Sequence, residues 1–204
     1  MIERIIAQGA EAKIILSNNF IIKDRIKKGY RIPELDTQIR ARRTKSESKL
    51  LEKASEIINC PKPFFEPSIK NSSKIKMPFI KGKRLSEELD SLTLKEQKSI
   101  CFQIGESIAK LHDKDIIHGD LTTSNTILQE KKVYFIDFGL GFNSHRIEDK
   151  AVDLHLIKQA LEAKHFSNWE TLFQSIEEGY GYSKDSKKVL EQLEKVEKRG
   201  RYKH

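Results

Sequence analysis

Short apolar runs punctuated by turn residues fill the first part of the chain. Apolar side chains crowd residues 2–7, stop at Gln8-Gly9-Ala10-Glu11-Ala12 and resume at Ile14-Ile15-Leu16. They return at Phe20-Ile21-Ile22-Lys23, after the turn-forming Ser17-Asn18-Asn19. That punctuation predicts a three-strand meander. The period then lengthens. Leu50, Leu51, Ala54, Ile57 and Ile58 repeat at helical spacing within a long helix predicted over 35–59. Three of the five prolines fall in 60–73, so that stretch is expected to be irregular. Residues 74–80 read as a strand, and Lys81-Gly82 as the break where the chain crosses to a second lobe.

Beyond that break, Thr93-Leu94-Lys95-Glu96 has the form of a capping box. It opens a helix whose stripe, Ile100, Ile104, Ile108 and Leu111, is the expected buried axis of the second lobe. Residues 126–128 and 133–136 predict a hairpin around Glu130-Lys131. Phe166, Trp169, Leu172, Phe173 and Ile176 mark another helix, ended by Gly179-Tyr180-Gly181. Leu190, Leu193 and Val196 face inward on a last one. A chain of 204 residues suffices for two small lobes sharing a core. The fold class expected is α+β, one domain in two lobes. Residues 1–80 form an antiparallel sheet with one long helix, and residues 81–204 a mainly helical lobe.

The chemistry concentrates in His118-Gly119-Asp120-Leu121-Thr122-Thr123-Ser124-Asn125, followed by Asp137-Phe138-Gly139. The run matches the kinase catalytic loop H-x-D-L-x-x-x-N, with D-F-G at the proper distance. Phosphoryl transfer from ATP needs a carboxylate beside the incoming hydroxyl and oxygen ligands for Mg²⁺ on the phosphates. Asp120 is the candidate for the first role; Asn125 and Asp137 are the candidates for the second, since Mg²⁺ prefers hard oxygen donors. His118 is read as a brace for the loop.

Lys23 ends an apolar strand, where an ammonium is costly without a partner. Glu47 lies beside the stripe of the long helix and is its natural partner, with Lys23 then holding the α- and β-phosphates. Taken singly, Lys23 can also be a snorkelling side chain and Glu47 a capping residue three after Thr44. The turn Gly9, Ala10, Glu11, Ala12 is a candidate to lay backbone N–H groups over phosphates, or else a plain hairpin. Phe79 and Ile80 are expected to bring their backbone to an adenine edge. Asp153, fourteen residues after Gly139, is a candidate to accept hydrogen bonds from the catalytic-loop backbone. An ordinary carboxylate at a helix N-terminus is the alternative.

Charge narrows the choice of partner. The net charge is +8, from 38 Lys and Arg against 30 Asp and Glu, and its distribution is uneven. Residues 23–53 hold eleven basic side chains against five acidic ones, and the last ten residues hold five against Glu197. Two such patches suit an anionic partner such as tRNA or rRNA, or else are solvated helix faces and a solubilising tail. Cys60 and Cys101 have no neighbours at metal-ligand spacing, which fits free thiols in a reducing cytoplasm. No apolar run approaches a membrane span, and residues 1–6 lack a signal-peptide pattern.

The Gln8–Ala12 turn, the His-Gly-Asp-Leu-Thr-Thr-Ser-Asn run, Asp137-Phe138-Gly139 and the basic Arg-Gly-Arg tail resemble an atypical branch of the protein-kinase-like superfamily. That branch is the family of small kinase subunits of the KEOPS complex, and the resemblance covers nearly the whole chain. It implies a minimal two-lobed kinase-like fold using ATP and Mg²⁺, or Mn²⁺ in its place. It also implies a cytoplasmic partnership with the universal threonylcarbamoyltransferase subunit, other KEOPS subunits and tRNA. The family is described both as an autophosphorylating Ser/Thr kinase and as an ATPase supporting the synthesis of threonylcarbamoyladenosine.

Arg199, Arg201 and Lys203 of the tail are the expected contacts to tRNA phosphates or partner. Several features depart from ordinary protein kinases. Gly119 replaces the arginine of the catalytic loop, and Thr122 the lysine of Ser/Thr kinases. Only thirteen residues separate Gly139 from Asp153, with no A-P-E. Two alternatives follow. One is a nucleotide-binding scaffold that bridges tRNA and the transferase. The weaker one is a small-molecule phosphotransferase, because His-Gly-Asp-Leu also occurs among antibiotic and choline kinases.

Overall fold

The computed structural model describes residues 3–64 and 73–201. Four antiparallel strands come first in space, in the order β1 (Glu3–Gln8), β2 (Ala12–Ser17), β3 (Phe20–Arg25) and β4 (Lys74–Pro78). The predicted meander is therefore present, and β4 closes it by pairing Ile22 with Lys76 and Lys23 with Ile75. The strand predicted over 74–80 ends two residues early. Phe79 N–H then donates to the Asn19 carbonyl in the β2–β3 turn, and Gly82 N–H to the Ile80 carbonyl, so the chain is already turning.

The long helix α1 runs over Pro33–Ser55 rather than 35–59. Proline supplies its start, because the ring pre-sets φ at a position whose N–H needs no intrahelical partner. At the other end Ile57 and Ile58 both donate to the Ala54 carbonyl, which tightens and ends the helix. Leu50, Leu51 and Ala54 are buried as expected, and Ile58 joins the same core from beyond the helix.

The second half begins with β5 (Lys83–Arg84) and a single helical turn, α2 (Leu85–Glu88). It continues with α3 (Leu94–Asp113), β6 (Ile116–Ile117), the hairpin β7 (Thr126–Gln129) and β8 (Lys132–Phe135), and β9 (Phe142–Asn143). Three helices finish it: α4 (Ile147–Lys164), α5 (Trp169–Tyr180) and α6 (Ser186–Arg201). The capping box is formed in full, with Glu96 N–H donating to Thr93 Oγ1 and Thr93 N–H to Glu96. Ile100, Ile104, Ile108 and Leu111 are buried along the axis of this half.

Glycines set how closely α3 and α5 approach. A Cβ on Gly105 would lie 2.0 Å from the Ile176 carbonyl oxygen, and one on Gly179 would lie 2.2 Å from that of Phe102. Each glycine thus admits the other helix's backbone. Gly179 lies inside α5 as a contact residue, and the cap after Tyr180 is Gly181.

Candidate nucleotide and catalytic site

The site gathers where the sheet of the first half meets the loops of the second. Lys23 sits on β3 between Ile14 and Ile75, which directs it inward. Its ammonium lies 2.6 Å from Glu47 Oε1 on α1 and 2.7 Å from Asp137 Oδ1. Glu47 is 1% exposed and lies mid-helix, so it caps nothing; Thr44 likewise lies within α1. Two residues along β3, Arg25 donates to the other Glu47 oxygen at 2.5 Å. The sequence reading missed Arg25. The signal was present, since a period of two on a strand puts residues 23 and 25 on one face.

Asp120 and Asn125 are joined directly. Asn125 Nδ2 donates to Asp120 Oδ2 at 2.8 Å and to the Asp120 carbonyl at 2.9 Å. The β7–β8 hairpin pairs Thr126 with Phe135, and Ile136 N–H donates to the Asn125 carbonyl. Asn125 and Asp137 therefore emerge at the same edge of the hairpin. Asp137 has φ of 63°, a left-handed backbone that aspartate tolerates better than most residues. Burial pushes its carboxyl up, but the Lys23 ammonium and the Gly139 N–H outweigh that and hold it below the usual carboxylate range.

These residues fit Mg²⁺. Asn125 spends its amide N–H₂ on Asp120, which turns its oxygen away from that bond, and Asp137 keeps a second carboxylate oxygen beyond Lys23. Among the described residues no cluster of three or more His, Cys, Asp or Glu side chains could hold a metal. A site that relies on phosphate oxygens and water for its remaining ligands needs only one or two from the protein.

Two buried groups brace the loop. Asp153 on α4 accepts from His118 N–H at 2.7 Å and Gly119 N–H at 2.9 Å, the role foreseen as one of its two alternatives. Its Oδ2 also meets His112 Nε2 at 3.3 Å, and His112 Nδ1 meets the Tyr180 hydroxyl at 3.0 Å. A polar chain thus runs from the glycine-packed α3–α5 pair to the catalytic loop. His118 spans the loop itself, with Nε2–H donating to the Ile136 carbonyl and Nδ1 accepting from Asp120 N–H.

That bonding requires neutral imidazole, and burial holds the His118 pKa below its ordinary 6.5 against the pull of nearby carboxylates. The unfolded chain therefore binds the proton more readily. Stability is expected to be full above about pH 6.5 and to fall as the pH drops through and below that value. Urea midpoints of the wild type and His118→Gln, compared between about pH 5 and 8, check this; the variant is expected to show a shallower slope.

Gly119 explains the missing arginine. Its φ is +77°, and a Cβ there would lie 2.4 Å from the Leu140 carbonyl oxygen. The stretch after Gly139 is short but tied down. β9 pairs with β6, Ser144 N–H donates to the Asp115 carbonyl, and Asp115 also meets His145 and Lys150. His165 links Thr123 of the loop to Asp90.

The peripheral candidates divide. Gly9 N–H donates to the Ala12 carbonyl, closing a tight β1–β2 turn. Glu11 at its tip pairs with Arg43 and Lys28, and the Ala10 carbonyl accepts from Lys28. Phe79 N–H is committed to Asn19, whereas Ile80 N–H makes no such bond among the described residues. Arg199 pairs with Glu148 at 2.7 Å. For Arg201 only the backbone is described, and Lys203 lies outside the described residues.

A sheet lysine paired with a glutamate of the long helix, set against a helical half carrying the Asp–Asn loop and the Asp-Phe-Gly turn, is the arrangement of a protein-kinase-like fold. The chain belongs to the RIO-domain family, which it matches over residues 15–152. It is 44% identical to the KEOPS complex subunit Bud32 of Pyrococcus abyssi, over 98% of this chain and 96% of that protein. It is 37% identical to a probable serine/threonine-protein kinase BUD32 homolog of Archaeoglobus fulgidus, over 95% of this chain and 94% of that one. A probable bifunctional tRNA threonylcarbamoyladenosine biosynthesis protein of Methanobrevibacter smithii is 41% identical over 99% of this chain. The chain spans 37% of that longer relative. The family expected from the motifs is thereby borne out.

Proposed function

We propose that this chain is an ATP-dependent Ser/Thr kinase and ATPase within the assembly that makes threonylcarbamoyladenosine in tRNA. The observation that carries it is the joined set Glu47–Lys23–Asp137 and Asn125–Asp120. Asp120 orients the attacking hydroxyl, or a water, and accepts its proton late. Lys23 holds the α- and β-phosphates, with Glu47 setting its position. Asn125 and Asp137 hold Mg²⁺, which when bound neutralises charge on the phosphate oxygens. The Gly9–Ala12 turn covers the phosphates. Ile80 N–H meets the adenine edge, and Phe79 contributes from beside it. The two lobes divide at residues 80 and 81.

The partners proposed are the threonylcarbamoyltransferase subunit, other KEOPS subunits and tRNA, in the cytoplasm. The names of the relatives, a KEOPS complex subunit and a tRNA threonylcarbamoyladenosine biosynthesis protein, support the assembly and the modification. Among the described residues no helix is long and apolar enough to cross a membrane. Arg199, Arg201 and Lys203 contact tRNA or partner, which requires Arg199 to leave Glu148. A scaffold that uses nucleotide only to hold its shape is the second reading, favoured by the short stretch between Gly139 and Asp153 that leaves little platform for a peptide.

ATP turnover of the chain alone, with the transferase subunit, and with tRNA added separates the two. The expected result is turnover raised by partner and tRNA, and its loss together with tRNA modification in Asp120→Ala. Wild-type modification by Asp120→Ala that still binds its partners would establish the scaffold instead. Removing residues 199–204 is expected to weaken the tRNA stimulation and reduce its salt dependence.

A further inference from the structure

Glu47 has one cation on each oxygen: Lys23 Nζ at 2.6 Å on Oε1 and Arg25 Nη2 at 2.5 Å on Oε2. All three side chains are buried, at 8%, 5% and 1% exposure for Lys23, Arg25 and Glu47. Lys23 reaches further, to Asp137. Among the described residues Arg25 Nε is buried without a hydrogen-bond partner, as is the hydroxyl of Thr44 one turn before Glu47 on α1. A Cβ built on Gly139 would lie 3.4 Å from Lys23 Nζ and 3.5 Å from Arg25 Nη2, so both cations stand against the Asp-Phe-Gly turn.

Counting charge shows why two cations are present. Lys23 and Arg25 balance Glu47 and Asp137, and the cluster is neutral. In the nucleotide reading, on which this inference rests, Asp137 turns to the metal and Lys23 to the phosphates. The Lys23 charge is then shared with phosphate oxygens, and Glu47 stays where it was. A carboxylate so deeply buried is strongly destabilising when its cation is drawn away. Arg25 has no reason to move. Its planar fork holds the far oxygen of Glu47 independently of Lys23.

We propose that Arg25 is a positioning residue that holds Glu47, and through it Lys23, while Lys23 exchanges Asp137 for the nucleotide. The spacing on β3 makes this an alternating division of labour: residue 23 moves between partners and residue 25 stays.

The test uses the full chain carrying Lys23→Met, Arg25→Met, Arg25→Lys and the double methionine variant. Thermal melting is read beside titration with a fluorescent ATP analogue in Mg²⁺. Lys23→Met is expected to melt near the wild type, because Arg25 still compensates Glu47. The double variant is expected to lose far more than the sum of the singles. Arg25→Met is expected to weaken analogue binding roughly tenfold or more, as loss of an orienting partner does. Arg25→Lys, which keeps the charge, is expected to recover part of that, and Arg25→Met is expected to have no further effect in a Glu47→Gln background. Additive melting losses, or analogue binding unchanged by Arg25→Met, would overturn the proposal alone. A wild type that fails to bind the analogue would overturn the nucleotide reading and this proposal with it.

Discussion

Asp137→Ala is expected to reduce ATP turnover on the order of a thousandfold, as loss of a group that stabilises transition-state charge typically does. Two functions are lost at once. One is a hard oxygen for Mg²⁺ at the edge shared with Asn125. The other is the carboxylate that pairs with Lys23 until the nucleotide takes its place, at 2.7 Å in this structure. Asp137→Asn keeps the shape and the Gly139 contact but removes the charge, so it is expected to fall nearly as far. Single-turnover assays at saturating ATP separate the chemical step from binding, and undiminished turnover in both variants would remove Asp137 from the mechanism. The carboxyl is held low by Lys23, so its contribution to stability is present above the ordinary carboxylate range and is lost as the pH falls through its depressed value.

Asp153→Ala is expected to cost about 3–5 kcal/mol in unfolding free energy, though it touches no reacting group. The carboxylate is 1% exposed and receives two backbone N–H groups of the catalytic loop, with His112 beside it. Alanine leaves the buried His118 N–H and the part-buried Gly119 N–H without this acceptor, a desolvation penalty of about 1–3 kcal/mol for a fully buried donor. Asp153→Asn tests the charge separately: one oxygen remains for one N–H, and an intermediate loss is expected. Urea denaturation measures both. A change below about 1 kcal/mol in Asp153→Ala would mean that the loop holds its shape without this anchor.

The site was legible in unequal parts. Asp120, Asn125 and Asp137 lie within eighteen positions of one another, and the hairpin between them is a local signal, so their convergence followed from spacing. Lys23 and Glu47 are 24 residues apart, and Lys23 and Asp137 are 114 apart, yet each is a charge in an apolar pattern that demanded a partner. Arg25 carried the same signal more weakly, because it ends β3 in a stretch rich in charge. The basic patch over residues 23–53 was visible only as a count. Folding divides it, since Lys23 and Arg25 enter the site, Arg31 and Arg40 hold the buried Asp36, and Lys28 and Arg43 hold Glu11. Arg199, expected as a contact to tRNA phosphates or partner, pairs within the fold with Glu148 of α4.

The sequence by itself determined the three-strand meander, the strand after it, the helices α1, α3, α5 and α6, the β7–β8 hairpin, the capping box, the catalytic loop and the need for a Lys–Glu pair. These depend on period, turn chemistry and the cost of an unpaired buried charge, all of which act over short stretches. The tertiary structure alone decided that Glu47 has two cations, and that Gly105 and Gly179 admit each other's helix. It alone decided that Tyr180 and His112 continue the Asp153 brace, and that Gly119 lies too close to Leu140 for any side chain. Those contacts join residues far apart in the chain, where no local pattern records which side chain arrives.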